Sequence, residues 1–376
     1  MLIARAILGK LRPARLSPRE IQDQLDVTRA AVLTAAYAVA QQHEDGALPS
    51  KSYAKLEREI AALKPLARKR KAQTGLNDQL VTYFNLVDAA RTASPPPLTA
   101  THNGSGGEDS HPAPARRSTS SSSFSPSLEN VTPRESPSAA ERDSTKAWRR
   151  KLLKEMLRSE LGFTTAVKAS GVPGAGLGLF VEGSAPEGAV VAIYPGFVHL
   201  PEHLRDEKFA ASLLPDEEHF LMGRADGCLV DGRTAGLLPS SPLTFAHAAN
   251  HPPAGHAANV LQVAYDFPAL SDSDVGIAKG GRFPEQLRAL VPNRYHSPPK
   301  ALFGGKLDRS ALVESVVLLA CRGGLQDQEV FMDYRFNPNM AHPDWYTPVD
   351  PKEAAKMWAP DKRDSSAKSL FSGSWK

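Results

Sequence analysis

The chain has 376 residues, of which 41% are hydrophobic, so it is long enough for one large domain plus a smaller one. Its two cysteines lie far apart among apolar neighbours, which argues against a disulfide framework or a Cys-rich zinc cluster and fits an intracellular, reducing compartment. The formal net charge of +4 is too small to indicate nucleic-acid binding, and the sequence predicts no transmembrane helix.

Residues 1–91 are predicted to form a helical region. Residues 1–16 are basic, contain no acid and place apolar residues at helical spacing, which is typical of a mitochondrial transit peptide and also fits a solvated helix start. A capping signal then predicts a helix over residues 17–42. Two further helices are expected at residues 53–63 and 76–91.

A basic tetrad, Arg68-Lys69-Arg70-Lys71, lies between the last two of these predicted helices. Such a run can serve as a nuclear-localisation signal, and it is also common at the solvated end of a helix. Because the basic N-terminus favours a mitochondrion and the tetrad favours a nucleus, the compartment stays open between nucleus, cytoplasm and mitochondrion.

Residues 92–145 are predicted to be a disordered linker, because a segment rich in Ser, Pro, Thr, Gly and Ala cannot bury enough apolar surface to offset its ordering entropy. An amphipathic lead-in helix is expected at residues 146–160. Beyond it, short strand patterns alternate with Gly, Pro and Asp turns. The fold class predicted from this pattern is mostly β, within the α+β class.

The C-terminal part contains an apolar run at residues 316–320 that is typical of a strand buried on both faces. After two glycines, residues 329–334 alternate so that Val330, Met332 and Tyr334 share one face if the segment is extended. This second strand would therefore end on a phenol, which is neutral at pH 7 and can donate or accept a hydrogen bond.

A glycine-rich stretch at residues 174–180, GAGLGLF, would let the backbone approach a ligand closely. The dinucleotide-binding fingerprint needs a strand before such a stretch and a helix after it. Here Pro173 precedes the stretch and a hairpin-like pattern follows it, which argues against a Rossmann domain.

Four separated motifs need one explanation. They are the glycine-rich turn at residues 176–180, the strand end Tyr194-Pro195-Gly196, the pair Asn250-His251, and the terminal motif EVFMDY at residues 329–334. Taken together and in this order, they resemble the motifs of the SET domain family of protein lysine methyltransferases. The resemblance covers residues 161–336, and residues 337–376 form a C-terminal flank.

The resemblance implies a SET-domain β-clip fold with a threaded C-terminal segment, preceded by the small helical N-terminal region. It also implies S-adenosyl-L-methionine as the cofactor and methyl transfer to a lysine side chain of an unidentified protein. Cysteines that bind zinc beside many SET domains are missing, so no zinc is expected. We further expect a monomer with no membrane or nucleic-acid partner.

Residue roles follow from the same resemblance. Tyr334 and Tyr194 would be catalytic, orienting the amine and the transferring methyl group. Phe336 would line the substrate channel. Residues implied to bind the cofactor are Gly176, Leu177, Gly178, Asn250, His251 and Tyr334.

Two departures from the family pattern leave alternatives open. Asp327-Gln328 replaces the Gly-Glu of the terminal motif, although Asp tolerates a left-handed backbone better than most residues. A Pro-rich loop, HPPAGH, follows Asn250. A catalytically inactive SET-fold protein- or cofactor-binding module is therefore one alternative, and a chain whose main role is an N-terminal interaction domain is another.

Overall fold

The structure, a computed structural model, describes residues 18–42, 49–96, 139–213, 220–268, 283–297 and 311–359. The proposed transit segment and most of the predicted linker lie outside these ranges. Within the described residues, no helix is both long enough and apolar enough to cross a membrane.

Helices dominate the first half of the described chain. The first two agree with the sequence prediction, whereas the third begins at Pro65 and so contains the basic tetrad, which was expected between helices. The fourth begins seven residues before the predicted lead-in helix. The six helices described are α1 (Pro18–Ala40), α2 (Ser50–Ala61), α3 (Pro65–Thr92), α4 (Ala139–Leu161), α5 (Glu207–Ser212) and α6 (Pro351–Met357).

Ten strands are described after α4. They are β1 (Phe163–Ala169), β2 (Leu177–Ala185), β3 (Val190–Tyr194), β4 (Gly196–His199), β5 (Leu221–Gly223), β6 (Leu229–Asp231), β7 (Val260–Pro268), β8 (Asn293–Tyr295), β9 (Ala311–Ala320) and β10 (Leu325–Gln326). They form three small sheets with the orders β1-β2-β10, β3-β9-β7 and β5-β6-β4-β8. All pairings are antiparallel except β4 with β8.

The described residues are mixed helix and sheet, at 43% helix and 22% strand, which agrees with the α+β part of the prediction, whereas the description as mostly β is wrong. The sheets are short, and the four N-terminal helices supply most of the regular structure. Strand patterns dominate the sequence after α4, but the three long helices before the linker contain more residues than the strands do.

The buried strand predicted at residues 316–320 is confirmed. It forms the second half of β9, which lies between β3 and β7, and all five side chains are buried. Strands covered on both faces are expected to be continuously apolar, as this one is.

The terminal motif is extended but is not a regular strand, so that part of the prediction is wrong. Within the described part of the chain, the motif makes only two isolated bridges, Phe180 with Glu329 and Asn250 with Phe331. The reason is that the segment bonds to two different partners in turn and cannot form a ladder with either.

Helix α3 joins the N-terminal helices to the sheet that contains β9. Gln73 and Gln79 each donate one hydrogen bond to the backbone and accept another from it, at the two outer strands of that sheet. The partners are Ala264 and Asp266 for Gln73, and Gly188 and Val190 for Gln79, at 2.8 to 3.0 Å. Because outer strands otherwise leave backbone groups unpaired, these amides complete the sheet.

The helices and the sheets also share one apolar core. Leu76, Leu80 and Phe84 of α3 are fully buried at helical spacing, and the Phe84 ring packs against Phe267 and Phe283 at 6.2 and 5.7 Å. The N-terminal helices therefore help to hold the strands that carry the site.

Candidate active site

A buried carboxylate, Glu329, connects three segments of the chain. It is 7% exposed. It accepts hydrogen bonds from Ser170 Oγ at 2.6 Å, from the Gly171 N–H at 2.9 Å and from Asn250 Nδ2 at 3.0 Å. The loop after β1, the loop that carries Asn250 and the terminal motif therefore meet at one residue. Hydrogen bonds to an ionised carboxylate are among the stronger ones.

The glycine-rich turn lies directly beside this carboxylate. A Cβ atom at Gly178 would overlap the Glu329 carboxylate, so this glycine makes room for a neighbouring side chain. Gly176, in contrast, has a φ of 71° and no atom within 4 Å of a Cβ position, so its backbone is accessible. Leu177 is 62% exposed, and its carbonyl accepts from Asn250 Nδ2 at 3.0 Å.

Asn250 and His251 hold the terminal motif through both backbone and side chain. The Asn250 carbonyl accepts from the Met332 N–H at 2.8 Å. His251 Nδ1 accepts from the Tyr334 N–H at 3.3 Å, and Nε2 lies 2.8 Å from the Thr347 carbonyl. A carbonyl can only accept, so the tautomer that fits has its proton on Nε2. Both ring nitrogens are thus used within the protein.

Tyr334, which the sequence singles out as a catalytic candidate, has its hydroxyl fixed at 3.1 Å from the Ala249 carbonyl, to which it donates. Its ring packs 5.6 Å from Phe336 and edge-on to Trp345 at 6.1 Å. Burial raises the pKa of Tyr334 to about 12. At neutral pH this residue is therefore a protonated hydrogen-bonding group.

Tyr194 lies at the end of β3 and is 3% exposed. Its ring is edge-on to His247 at 6.4 Å, and His247 in turn packs 6.1 Å from Phe220. Burial raises the pKa of Tyr194 well above its usual range, and a charge on Tyr334 would raise it further. Tyr194 is therefore a buried, protonated phenol that packs against the His247 ring.

The C-terminal flank covers the terminal motif. Tyr346 Oη accepts from the Phe336 N–H at 3.0 Å, and Trp358 Nε1 donates to the Arg335 carbonyl at 3.2 Å. Trp345 stays 61% exposed beside Tyr334. A cleft of about 210 Å³ lies next to this flank, between residues 253–257 and 347–349.

The departure from the family pattern at Asp327 has a structural solution. Asp327 has a φ of 45°, the left-handed conformation for which Asp is better suited than most residues. Its Oδ1 accepts from the Gly183 N–H at 2.8 Å, and its own N–H donates to the Gly183 carbonyl at 3.0 Å. The turn before the terminal motif is therefore anchored to β2.

Sequence reasoning missed the central role of Glu329, which it treated only as one letter of a motif. It also gave no role to Ser170 or Ala249, whose polar groups bond to Glu329 and Tyr334. The available signal was a carboxylate that directly precedes three apolar residues, at positions 330–332. Among the described residues, no group of three or more His, Cys, Asp or Glu side chains could hold a metal ion.

Comparison with known proteins finds two curated relatives. No family model matches the chain. The names of both relatives contain the SET domain, to which the four motifs also point.

Both relatives are named SET domain-containing protein 9, one from Homo sapiens and one from Pongo abelii. Each is 28% identical to this chain over 209 residues, which cover 48% of the chain. The match covers 60% of the human protein and 66% of the orangutan protein, so this chain spans less than two thirds of the relatives' length.

Outside this site, His199 at the end of β4 is 2% exposed, and neither ring nitrogen has a hydrogen-bond partner among the residues that the structure describes. The ring packs between Phe209 at 5.5 Å and His296 at 4.8 Å. Burial, and then the nearby His296, lowers the pKa of His199 to about 4; Asp231 opposes this shift, while His203 and Arg233 add to it.

We expect this residue to make the protein less stable in acid. The folded-state pKa lies below the unfolded value of 6.5, so stability is complete above pH 6.5 and falls as the pH drops toward 4. The loss over this range is about 3 kcal/mol. The measurement is urea unfolding of the wild type and of His199→Phe at about pH 8 and about pH 5. The Phe variant should lose less stability than the wild type, and an equal loss in both would contradict the assignment.

Proposed function

We propose that this chain is an S-adenosylmethionine-dependent protein lysine N-methyltransferase of the SET type. The observation that carries the proposal is the meeting of the glycine-rich turn, Asn250 and the Tyr334 segment at the Glu329 carboxylate. These are the motifs through which the chain resembles the family. The relatives' names state a SET domain and no reaction, so the activity is inferred from the site.

We infer a SET-type β-clip in which the C-terminal segment is threaded between two parts of the chain. In support, the Val330 N–H donates to the Leu179 carbonyl of β2 at 2.7 Å, which fixes one side of the segment. On another side, Asn259 Nδ2 donates to the Glu329 carbonyl at 2.8 Å, and its Oδ1 accepts from the Phe331 N–H at 2.7 Å. Threaded connections are rare, so this pairing favours the family fold.

The residues present fit the cofactor. Gly176 offers accessible backbone with space beside it, and the exposed Leu177 side chain offers an apolar contact. The cleft of about 210 Å³ borders Thr347, which bonds His251, so it adjoins the same site. Since pockets for ligands of drug size usually measure about 300–1,000 Å³, this cleft would take only part of the cofactor. His251 would contribute its backbone and ring face, because both ring nitrogens are occupied.

When bound, S-adenosylmethionine supplies an electrophilic methyl group on a sulfonium. The chain must then deliver a neutral lysine amine, although with a pKa near 10.4 only about one lysine in two thousand is neutral at pH 7. Tyr194, Tyr334 and Phe336 would form aromatic walls around the lysine side chain. Burial between these walls would lower the lysine pKa, because burial disfavours the ammonium form. No separate general base is then required.

The two phenols orient the amine. With a pKa of about 12, Tyr334 keeps its proton, so it acts through hydrogen bonding and position and not as a base. Its hydroxyl proton is directed at the Ala249 carbonyl, which leaves the oxygen lone pairs available to an amine N–H or to a polarised methyl group. Phe336, packed 4.7 Å from Tyr346, closes one wall of the channel.

The alternative, a SET-fold binding module without catalysis, was motivated by Asp327-Gln328. The anchored turn at Asp327 weakens this argument for an inactive module, because the terminal motif is held in place without the glycine. The first experiment is isothermal titration calorimetry of the full chain with S-adenosylmethionine, supported by thermal denaturation. We expect binding and a raised Tm. No heat and no change in Tm would show that the chain does not bind S-adenosylmethionine, and the proposed activity would then be wrong.

A further inference from the structure

Arg335 separates the two aromatic residues Tyr334 and Phe336, and its backbone is unusual. Its φ is 52°, in the left-handed region that L residues other than Asn and Asp rarely adopt. Such a conformation persists only where surrounding contacts hold it. At Arg335 those contacts involve the backbone N–H, the backbone carbonyl and two guanidinium nitrogens.

The guanidinium of Arg335 reaches back to the first helix. Its Nη1 lies 2.6 Å from Asp26 Oδ2 and its Nη2 lies 3.2 Å from Asp26 Oδ1, which makes a two-point ion pair between α1 and the terminal motif. The two side chains are only 21% and 10% exposed. Gln22 Nε2 also donates to Asp26 Oδ1 at 3.2 Å, and Arg29 lies 3.8 Å from it.

The backbone of Arg335 is fixed as well. Its N–H donates to Asp333 Oδ1 at 3.0 Å, and its carbonyl accepts from Trp358 Nε1 at 3.2 Å. Tyr334 and Phe336 are each one peptide unit away, so a change of the backbone dihedrals at Arg335 moves both rings. The Asp26 carboxylate is the group of α1 that bonds directly to Arg335.

We propose that Asp26, acting through Arg335, is a positioning residue for the methyl-transfer site, so that the N-terminal helix α1 sets the placement of Tyr334 and Phe336. This inference rests on the proposed function. It gives the helical region a role in the reaction: the site is complete only when α1 is docked.

A purely structural ion pair is the competing explanation, and the chain provides a matched control for it. Arg224 is 5% exposed, and its Nη2 lies 2.6 Å from Asp266 Oδ1. Its further bonds go to Tyr265, Ser315 and Asp226, none of which belongs to the site. Asp266→Asn therefore weakens a second partly buried ion pair without touching the terminal motif.

The experiment compares the full chain carrying Asp26→Asn with the Asp266→Asn control. Hydrogen exchange, read by mass spectrometry, follows the amides of Tyr334 and Phe336, which bond to His251 and Tyr346. Methyl transfer is measured with labelled cofactor and a peptide taken from an array of lysine-containing peptides. For Asp26→Asn we expect exchange at these amides to be about tenfold faster or more. We expect kcat to fall about 10- to 100-fold, with the Kd for S-adenosylmethionine little changed.

Two further variants keep the test decisive if Asp26→Asn folds poorly. Arg335→Gly accepts the left-handed backbone but lacks the ion pair, so it should show the same faster exchange and lower kcat. The double variant Asp26→Arg with Arg335→Asp exchanges the charges, and Asp tolerates a φ of 52°. It should recover at least part of both losses.

The outcomes separate this inference from the proposed function. Unchanged exchange at Tyr334 and Phe336 in Asp26→Asn, or equal effects in the Asp266→Asn control, would overturn the positioning role. Faster exchange with unchanged kcat would overturn it too. If the wild type does not bind S-adenosylmethionine, the proposed function is wrong. In that case the hydrogen-exchange comparison by itself tests whether α1 positions the two rings.

Discussion

Replacing Gly178 by Ala is expected to weaken S-adenosylmethionine binding strongly. The new methyl group would overlap the Glu329 carboxylate and lie 3.1 Å from Asn250 Nδ2. Glu329 is buried, Asn250 is half-buried, and the two side chains are hydrogen-bonded to each other, so neither can move without breaking the bonds that join the turn to the terminal motif. Overpacking of this kind costs about 1–3 kcal/mol, which corresponds to a roughly ten- to hundredfold higher Kd if the cost falls on the bound state.

The measurement is calorimetric titration of both proteins with S-adenosylmethionine. Gly236→Ala is the matched control, because Gly236 has no atom within 4 Å of its Cβ position and no positive φ. That variant should bind as the wild type does. Equal affinity in Gly178→Ala and wild type would show that the turn beside Glu329 is not part of the cofactor site.

Tyr334→Phe should keep the cofactor but lose most methyl transfer. The change removes only the hydroxyl, which is held by the Ala249 carbonyl at 3.1 Å, and leaves the ring packed on Phe336. A positioned hydroxyl that contacts the reacting groups typically contributes about a hundredfold or more to kcat. The loss of one hydrogen bond should lower the free energy of unfolding by about 1 kcal/mol.

A second buried tyrosine controls for that loss of stability. Tyr265 Oη donates to Asn77 Oδ1 at 3.0 Å within the core, where it contacts none of the proposed site residues. Tyr265→Phe should therefore lose similar stability and keep its kcat. A wild-type rate of methyl transfer by Tyr334→Phe at saturating S-adenosylmethionine would contradict the catalytic role proposed for this phenol.

Residues that lie within short motifs were predictable, because a local pattern of glycines, a strand end or an alternating run is visible in a few consecutive residues. Tyr334 and Asn250 were found in this way, and the structure brings them to one place. The buried half of β9 was equally predictable, since a continuous apolar run has few other uses.

What the sequence did not predict depends on contacts between distant residues. Glu329 meets Ser170 across 159 positions and Asn250 across 79, and Arg335 meets Asp26 across 309. No local periodicity encodes such a pairing. The same holds for the terminal motif, whose alternation predicted a strand although its hydrogen bonds go to two different segments.

The start of α4 and the position of the basic tetrad were missed for a different reason. Ser, Thr and charged residues in a helix that is largely exposed resemble a linker or a helix end, because no apolar stripe marks them. In the structure Arg68 donates to Thr28 Oγ1 at 2.8 Å and Lys69 lies 3.6 Å from Asp266, so two of the four cations have partners within the fold.

The most direct test of the proposed activity is transfer of a labelled methyl group from S-adenosylmethionine to a lysine side chain by the wild-type chain. Arrayed lysine-containing peptides serve as acceptors, and methyllysine is identified by mass spectrometry. We expect methyllysine on a subset of the peptides, and about a hundredfold less of it or lower still when Tyr334→Phe replaces the wild type under the same conditions. Cofactor binding by calorimetry with no methyllysine on any peptide or on the protein itself would contradict the methyltransferase assignment and leave a SET-fold binding module.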